Sequence, residues 1–250
     1  MGRSAAERIS VSLTPMLEKP SREELFLAIL KGTIGGIPVA GSLIAEVLST
    51  TIPDKRYQRL ESMLSALVEK VAMLDSGVLA QKLTNDHAIG ILEDGMFQGA
   101  RAVTEERRKR IASVVGNALS SEESKYQESK RLLGLLEQLN DVELKVLYGH
   151  HFQKEHERNA YFAQHPDAER PPLTDISEAS LRPQAMYNAY LAHLAQLGLL
   201  DPQYRTPELA GLAMSEIAKA AARPPEIVDH SVSVLGTMLL ESVDLLERAG

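Results

Sequence analysis

Apolar positions along the chain recur mostly at spacings of three and four residues. Leu60, Leu64, Leu67, Val71 and Leu74 repeat in a 4-3-4-3 pattern, with Glu61, Glu69 and Lys70 between them. That spacing predicts an amphipathic helix from Asp54 to a break at Gly77. A seam of about two and a half heptads suits packing against other helices but is short for an autonomous coiled coil. Before it, residues 1–20 form a polar leader punctuated by Pro15 and Pro20. Ser21-Arg-Glu-Glu24 reads as a capping box, the serine hydroxyl and Glu24 carboxylate each meeting an orphan amide of the first turn. Two apolar helical segments follow, up to residue 33 and over 39–51, and make a short hairpin.

Helices are also predicted over 84–102, 104–119 and 121–139. Asn140-Asp-Val-Glu143 supplies a new N-cap for a helix running to residue 164. Pro166, Pro171, Pro172 and Pro183 mark 165–183 as a linker. Further helices are expected at 184–197, at 207–222 behind Thr206-Pro207-Glu208, and at 235–248. The domain scheme is therefore a leader (1–20), a helical bundle with an apolar Gly-rich hairpin (21–164), a linker (165–183) and a small unit (184–250). That last unit carries Leu-Gly-Leu-Leu200 and Ser-Val-Ser-Val-Leu-Gly236, in the manner of a winged helix with short strands at 199–200 and 232–234. The expected recognition helix, residues 186–196, has no Arg or Lys, which argues against reading DNA.

Composition agrees with an all-α, multi-helix bundle. Leu (36) and Ala (28) outnumber Val plus Ile (27) by more than two to one, and sheet-forming aromatics are scarce. Cysteine is absent from all 250 residues, which excludes disulfides, thiolate metal sites and thiol catalysis. The net charge of −7 is uneven: residues 1–120 carry 15 basic and 14 acidic side chains, residues 121–250 carry 12 and 20. A polyanion would meet repulsion from the second half unless a local basic patch faced it. No secretory signal pattern opens the chain, and a cytoplasmic location is expected, with membrane association as the alternative.

Three clusters have chemical potential. Gly32, Gly35, Gly36, Pro38 and Gly41 lie in fourteen uncharged residues between Lys31 and Glu46. They suit either a closely packed core hairpin or a bilayer-entering one, although a spanning helix needs about 20 apolar residues. His150, His151, His156 and His165 are four of the seven histidines. His151 and Glu155 stand at i,i+4, but the pattern is neither His-Glu-x-x-His nor its inverse, so a solvated helix end with His–Glu contacts is expected, and no metal or cofactor. Arg107-Arg-Lys-Arg110, with Arg101 nearby, reads as a solvated helix face, with a phosphate-binding or partner patch as the alternative, because no aromatic residue interleaves it. Glycine-rich phosphate loops and Gly-x-Ser-x-Gly are absent, so the expectation is that the chain is not an enzyme.

Lys31-Gly-Thr-Ile-Gly-Gly-Ile-Pro-Val-Ala-Gly-Ser-Leu43, Ile52-Pro-Asp-Lys-Arg56 and Glu93-Asp-Gly-Met-Phe-Gln-Gly-Ala-Arg-Ala-Val-Thr-Glu-Glu-Arg107 resemble segments of uncharacterised bacterial helical proteins. Some of those are similar to abortive-infection (Abi-alpha-like) phage-defence proteins. The resemblance covers most of residues 25–245. It implies a helical architecture and a defence setting, and carries no catalytic residue. The expected function is a non-enzymatic interaction protein with a protein partner or self-association. One alternative is a membrane-acting effector that inserts the 25–52 hairpin. A second is a nucleic-acid-binding regulator using the arginine run; no small-molecule substrate is inferred.

Overall fold

The computed structural model describes residues 54–74, 76–172, 177–205 and 226–247. The glycine-rich hairpin at 25–52 and the helix expected at 207–222 lie outside those residues. Within them the protein is mostly α-helical, with a single two-stranded sheet. The leucine seam is helix α1 (Asp54–Val71), followed by α2 (Ser76–Lys82), α3 (Asp86–Arg101), α4 (Glu105–Ser120) and, after a 3-10 turn, α5 (Tyr126–Gln138). Side-chain caps set the starts: Asn85 accepts from His87 N, and Thr104 accepts from Arg107 N.

Helix α1 packs on α3 and α4, and α5 lies against the same pair. Their shared interior holds Leu60, Met63, Leu64, Leu67, Ile91, Val115 and Leu135, all buried. The seam therefore faces the core, as its period predicts. Helix α6 (Asp141–Gly149) begins at the expected capping box, with Asn140 Oδ1 accepting from Glu143 N at 2.8 Å and Glu143 Oε2 accepting from Asn140 N at 2.8 Å. It does not run on to residue 164. The chain turns at His150 and restarts as α7 (Glu155–Gln164).

The expected linker is shorter than its prolines suggest. Ala168 is fully buried, and Asp167 pairs with Lys145 at 2.8 Å. Helix α8 (Glu178–Gln196) starts six residues before the expected position 184, with Ser177 as N-cap and Pro183 inside. Pro183 forgoes one backbone hydrogen bond in a stretch that is largely exposed, so the proline reads as a break but is absorbed.

Gly198, at φ +74°, closes α8 in the left-handed conformation that glycine takes without strain. Strands β1 (Leu200–Tyr204) and β2 (Ile227–Val232) then pair antiparallel, with Leu200 opposite Val232 and Pro202 opposite His230. The sequence placed strand character at 199–200 and 232–234. The observed strands include that pair and extend away from it, while Val234 opens the last helix, α9 (Val234–Ser242), capped by Ser233. Leu194, Leu199, Leu200, Leu239 and Leu240 join the hydrophobic core of the described residues. Gly236 makes this junction close: a Cβ there would lie 2.3 Å from Leu199 O.

Candidate interaction site: the hairpin and its histidine clasp

Ser233 N donates to Leu199 O at 3.0 Å. Antiparallel pairs alternate between bonded and non-bonded, so 201/231 and 203/229 are the bonded pairs. The backbone groups of 202 and 230 consequently point out of the two outer edges. On β1 that position is Pro202, which has no N–H to offer. On β2 it is His230, whose carbonyl lies 3.2 Å from His150 Nδ1. Both edges are thus blunted, one by proline and one by a histidine from the helical body.

His150 sits at the C-cap of α6 with 8% of its surface exposed. A carbonyl can only accept, so Nδ1 carries the proton. Nε2, 3.4 Å from the Tyr187 hydroxyl of α8, then accepts from it. The neutral ring satisfies both partners. Asp229 Oδ1 is 3.9 Å from Nδ1, beyond hydrogen-bond reach. That carboxylate is already engaged: Oδ1 accepts from His230 N at 2.8 Å and Oδ2 from Arg158 at 3.1 Å. Phe162 of α7 meets the imidazole edge-on.

Burial pushes the His150 pKa down, against the upward pull of Asp229 and the His230 carbonyl. Burial likewise lowers His230, opposed by Asp229. For Asp229, burial works upward, but the bonds from His230 N and Arg158 outweigh it and hold the carboxyl below its ordinary value. Burial raises Tyr187. The clasp at neutral pH is therefore a neutral imidazole and phenol beside an Arg158–Asp229 ion pair.

The other histidines singled out in the sequence go elsewhere. His151 stacks on Tyr148, His165 stacks on Tyr161, and His156 is exposed. Among the described residues no group of three or more His, Asp or Glu could hold a metal ion. The sequence reading missed His230, Asp229, Tyr187 and Arg158 as partners of His150. They stand 8 to 80 positions away in the chain, and only the packing of α7, α8 and the returning hairpin brings them to α6.

The arginine run splits three ways. Arg107 and Arg110, i,i+3 on α4 and mostly buried, face Asp141 at 3.6 and 3.9 Å, and Arg107 also donates to Leu136 O. Burial lowers the Arg107 pKa, partly restored by Asp141. Arg108 reaches the other side, donating to Ser62 Oγ at 3.0 Å and to the carbonyls of Ala102 and Val103 at 3.1 Å, where it caps the end of α3. Lys109 pairs with Glu105 at 2.8 Å and lines a groove of about 460 Å³ with Glu61 and Glu69. Arg101 stands apart, 3.8 Å from Glu137. Tyr161 does come close enough to feel the Arg110 charge, but its burial dominates and lifts the phenol to about 12.

No known protein family, curated protein or solved structure matches the chain. Among the described residues, no helix is long and apolar enough to cross a membrane.

Proposed function

We propose that the chain is a non-enzymatic bacterial interaction protein whose contact face is the hairpin with the adjoining turns of α8 and α9, and that its partner is a second copy of itself. One observation carries this reading. Of the ten large apolar side chains exposed among the described residues, four lie on the hairpin and the first residue of α9: Tyr204, Ile227, Val228 and Val234. Tyr204 (52% exposed) and Ile227 (50%) face each other across the ladder, and Val228 (48%) follows. Exposed large apolar groups at such density mark contact surfaces.

A second copy fits because the patch carries both charges. Arg205 and Glu226 flank it, 3.3 Å apart and well exposed. A two-fold contact requires a self-complementary surface. Arg205 of one copy can meet Glu226 of the other around an apolar centre. The internal bonding of His150 supports a structural role for the clasp, and the three-way split of the arginine run leaves the nucleic-acid reading little to stand on. The phage-defence setting rests on the resemblance alone.

Sedimentation velocity over a wide concentration range tests the contact. Wild type should grow heavier with concentration, and Ile227→Asp should stay monomeric with unchanged thermal unfolding. A wild type that is monomeric throughout, or an Ile227→Asp protein that associates as wild type does, contradicts it. Plating of phage on bacteria expressing the chain tests the setting: protection lost with Ile227→Asp supports it, and no protection by wild type removes it.

A further inference from the structure

We propose that the His150 clasp is an acid-released catch: the neutral imidazole seals the outward edge of β2, and its protonation frees the hairpin from the helical body. The geometry carries this. His150 is the body's hydrogen bond to the His230 carbonyl, the central outward acceptor of β2. Among the described residues, the groups facing it from every packed element are few. Helix α7 brings Arg158 and the Phe162 ring, α8 brings Tyr187, and β2 brings Asp229 and His230.

A second proton on the ring would turn Nε2 from acceptor to donor, so the Tyr187 hydroxyl, which can do either, would have to swing its own proton away to accept from it. It would also place a cation in an enclosure already holding Arg158. Among the described residues, Asp229 is the one carboxylate near enough to help, and both its oxygens are committed, to Arg158 and to His230 N. Opening relieves this, because a released imidazolium regains water. The burial-depressed affinities of His150 and His230 point the same way. A group whose folded pKa is depressed below the free histidine value of about 6.5 takes up a proton on opening, so opening becomes easier as pH falls through 6.5 toward the folded value. Asp229 stays ionised across that window. The expected slope is up to about tenfold per pH unit for each histidine released.

The consequence deepens the proposed function and rests on it for its meaning: acid would present a bare strand edge beside the apolar contact face. The test does not depend on association. Amide exchange of the dilute full chain, corrected for the chemical rate, is compared at about pH 7.5 and about pH 5. Freed from the body, a lone two-stranded ladder is marginal, so the amides of 199–201, 203, 204 and 227–233 should open roughly tenfold more readily in acid relative to those of α4. His150→Asn, whose side-chain amide can still donate to the His230 carbonyl, should abolish most of that difference, while His230→Asn should retain most of it. Equal protection of the hairpin at both pH values overturns the catch. So does an acid response that survives His150→Asn, or one that disappears only with His230→Asn.

Discussion

Helices α4 and α8 are of similar length and bury very different amounts. The sixteen residues of α4 place eight in the core, whereas the nineteen of α8 bury only Tyr187 and Leu194. The first belongs to a body held by apolar packing on several sides. The second is anchored by its last turns, and its first turns stand in solvent together with Leu181 and Met186. The hairpin beyond it depends on directional contacts: the His150 clasp, the Arg158–Asp229 pair and the Ser233 hydroxyl donating to Gly198 O at 2.6 Å. Packing energy concentrates in one region, and the exposed apolar surface and acid-sensitive bonds concentrate in the other. That division suits the proposed self-contact, in which an appended face associates while the body keeps its shape.

Substitutions graded across the two regions test the division. Leu64→Ala, in the seam, should cost about 2–5 kcal/mol by chemical denaturation, because a buried leucine leaves a cavity. Gly236→Ala should cost roughly 1–3 kcal/mol, since its Cβ would press on the Leu199 carbonyl and backbone must move. Asn140→Ala removes the cap of α6 and should cost about 1 kcal/mol. Val234→Ala, 80% exposed, should change unfolding by less than about 0.5 kcal/mol while weakening association. A Val234→Ala protein destabilised as much as Leu64→Ala would show that the contact face is core.

The body was largely legible. The 4-3-4-3 seam gave the buried face of α1, and the capping box gave the start of α6, because both signals are local. The clasp was hidden for the opposite reason. His150 looked like one of a run of solvated histidines, and nothing near it in sequence shows that β2 returns to its ring. Arg107 and Arg110 read as exposed because they sit in a charged run, yet Asp141 and the Leu136 carbonyl draw them inward. Pro183 misled because a proline in an exposed helix costs one bond that solvent makes good. The paired strands were half visible: Leu200 and Val232 carry strand character, whereas Asp201, Pro202 and Gln203 do not.

The most direct test of the self-contact is a mixing experiment with charge-reversed hairpins. Arg205→Glu leaves two acids on the patch, and Glu226→Arg leaves two bases. Each variant alone should sediment as a monomer, because like charges meet across the two-fold axis. An equimolar mixture should associate, because acid then meets base, and the association should weaken with salt. Neither variant keeps its internal 205–226 pair, so recovery on mixing can come only from contact between copies. Association of either variant alone at wild-type strength, or a mixture that stays monomeric where wild type associates, would contradict the account.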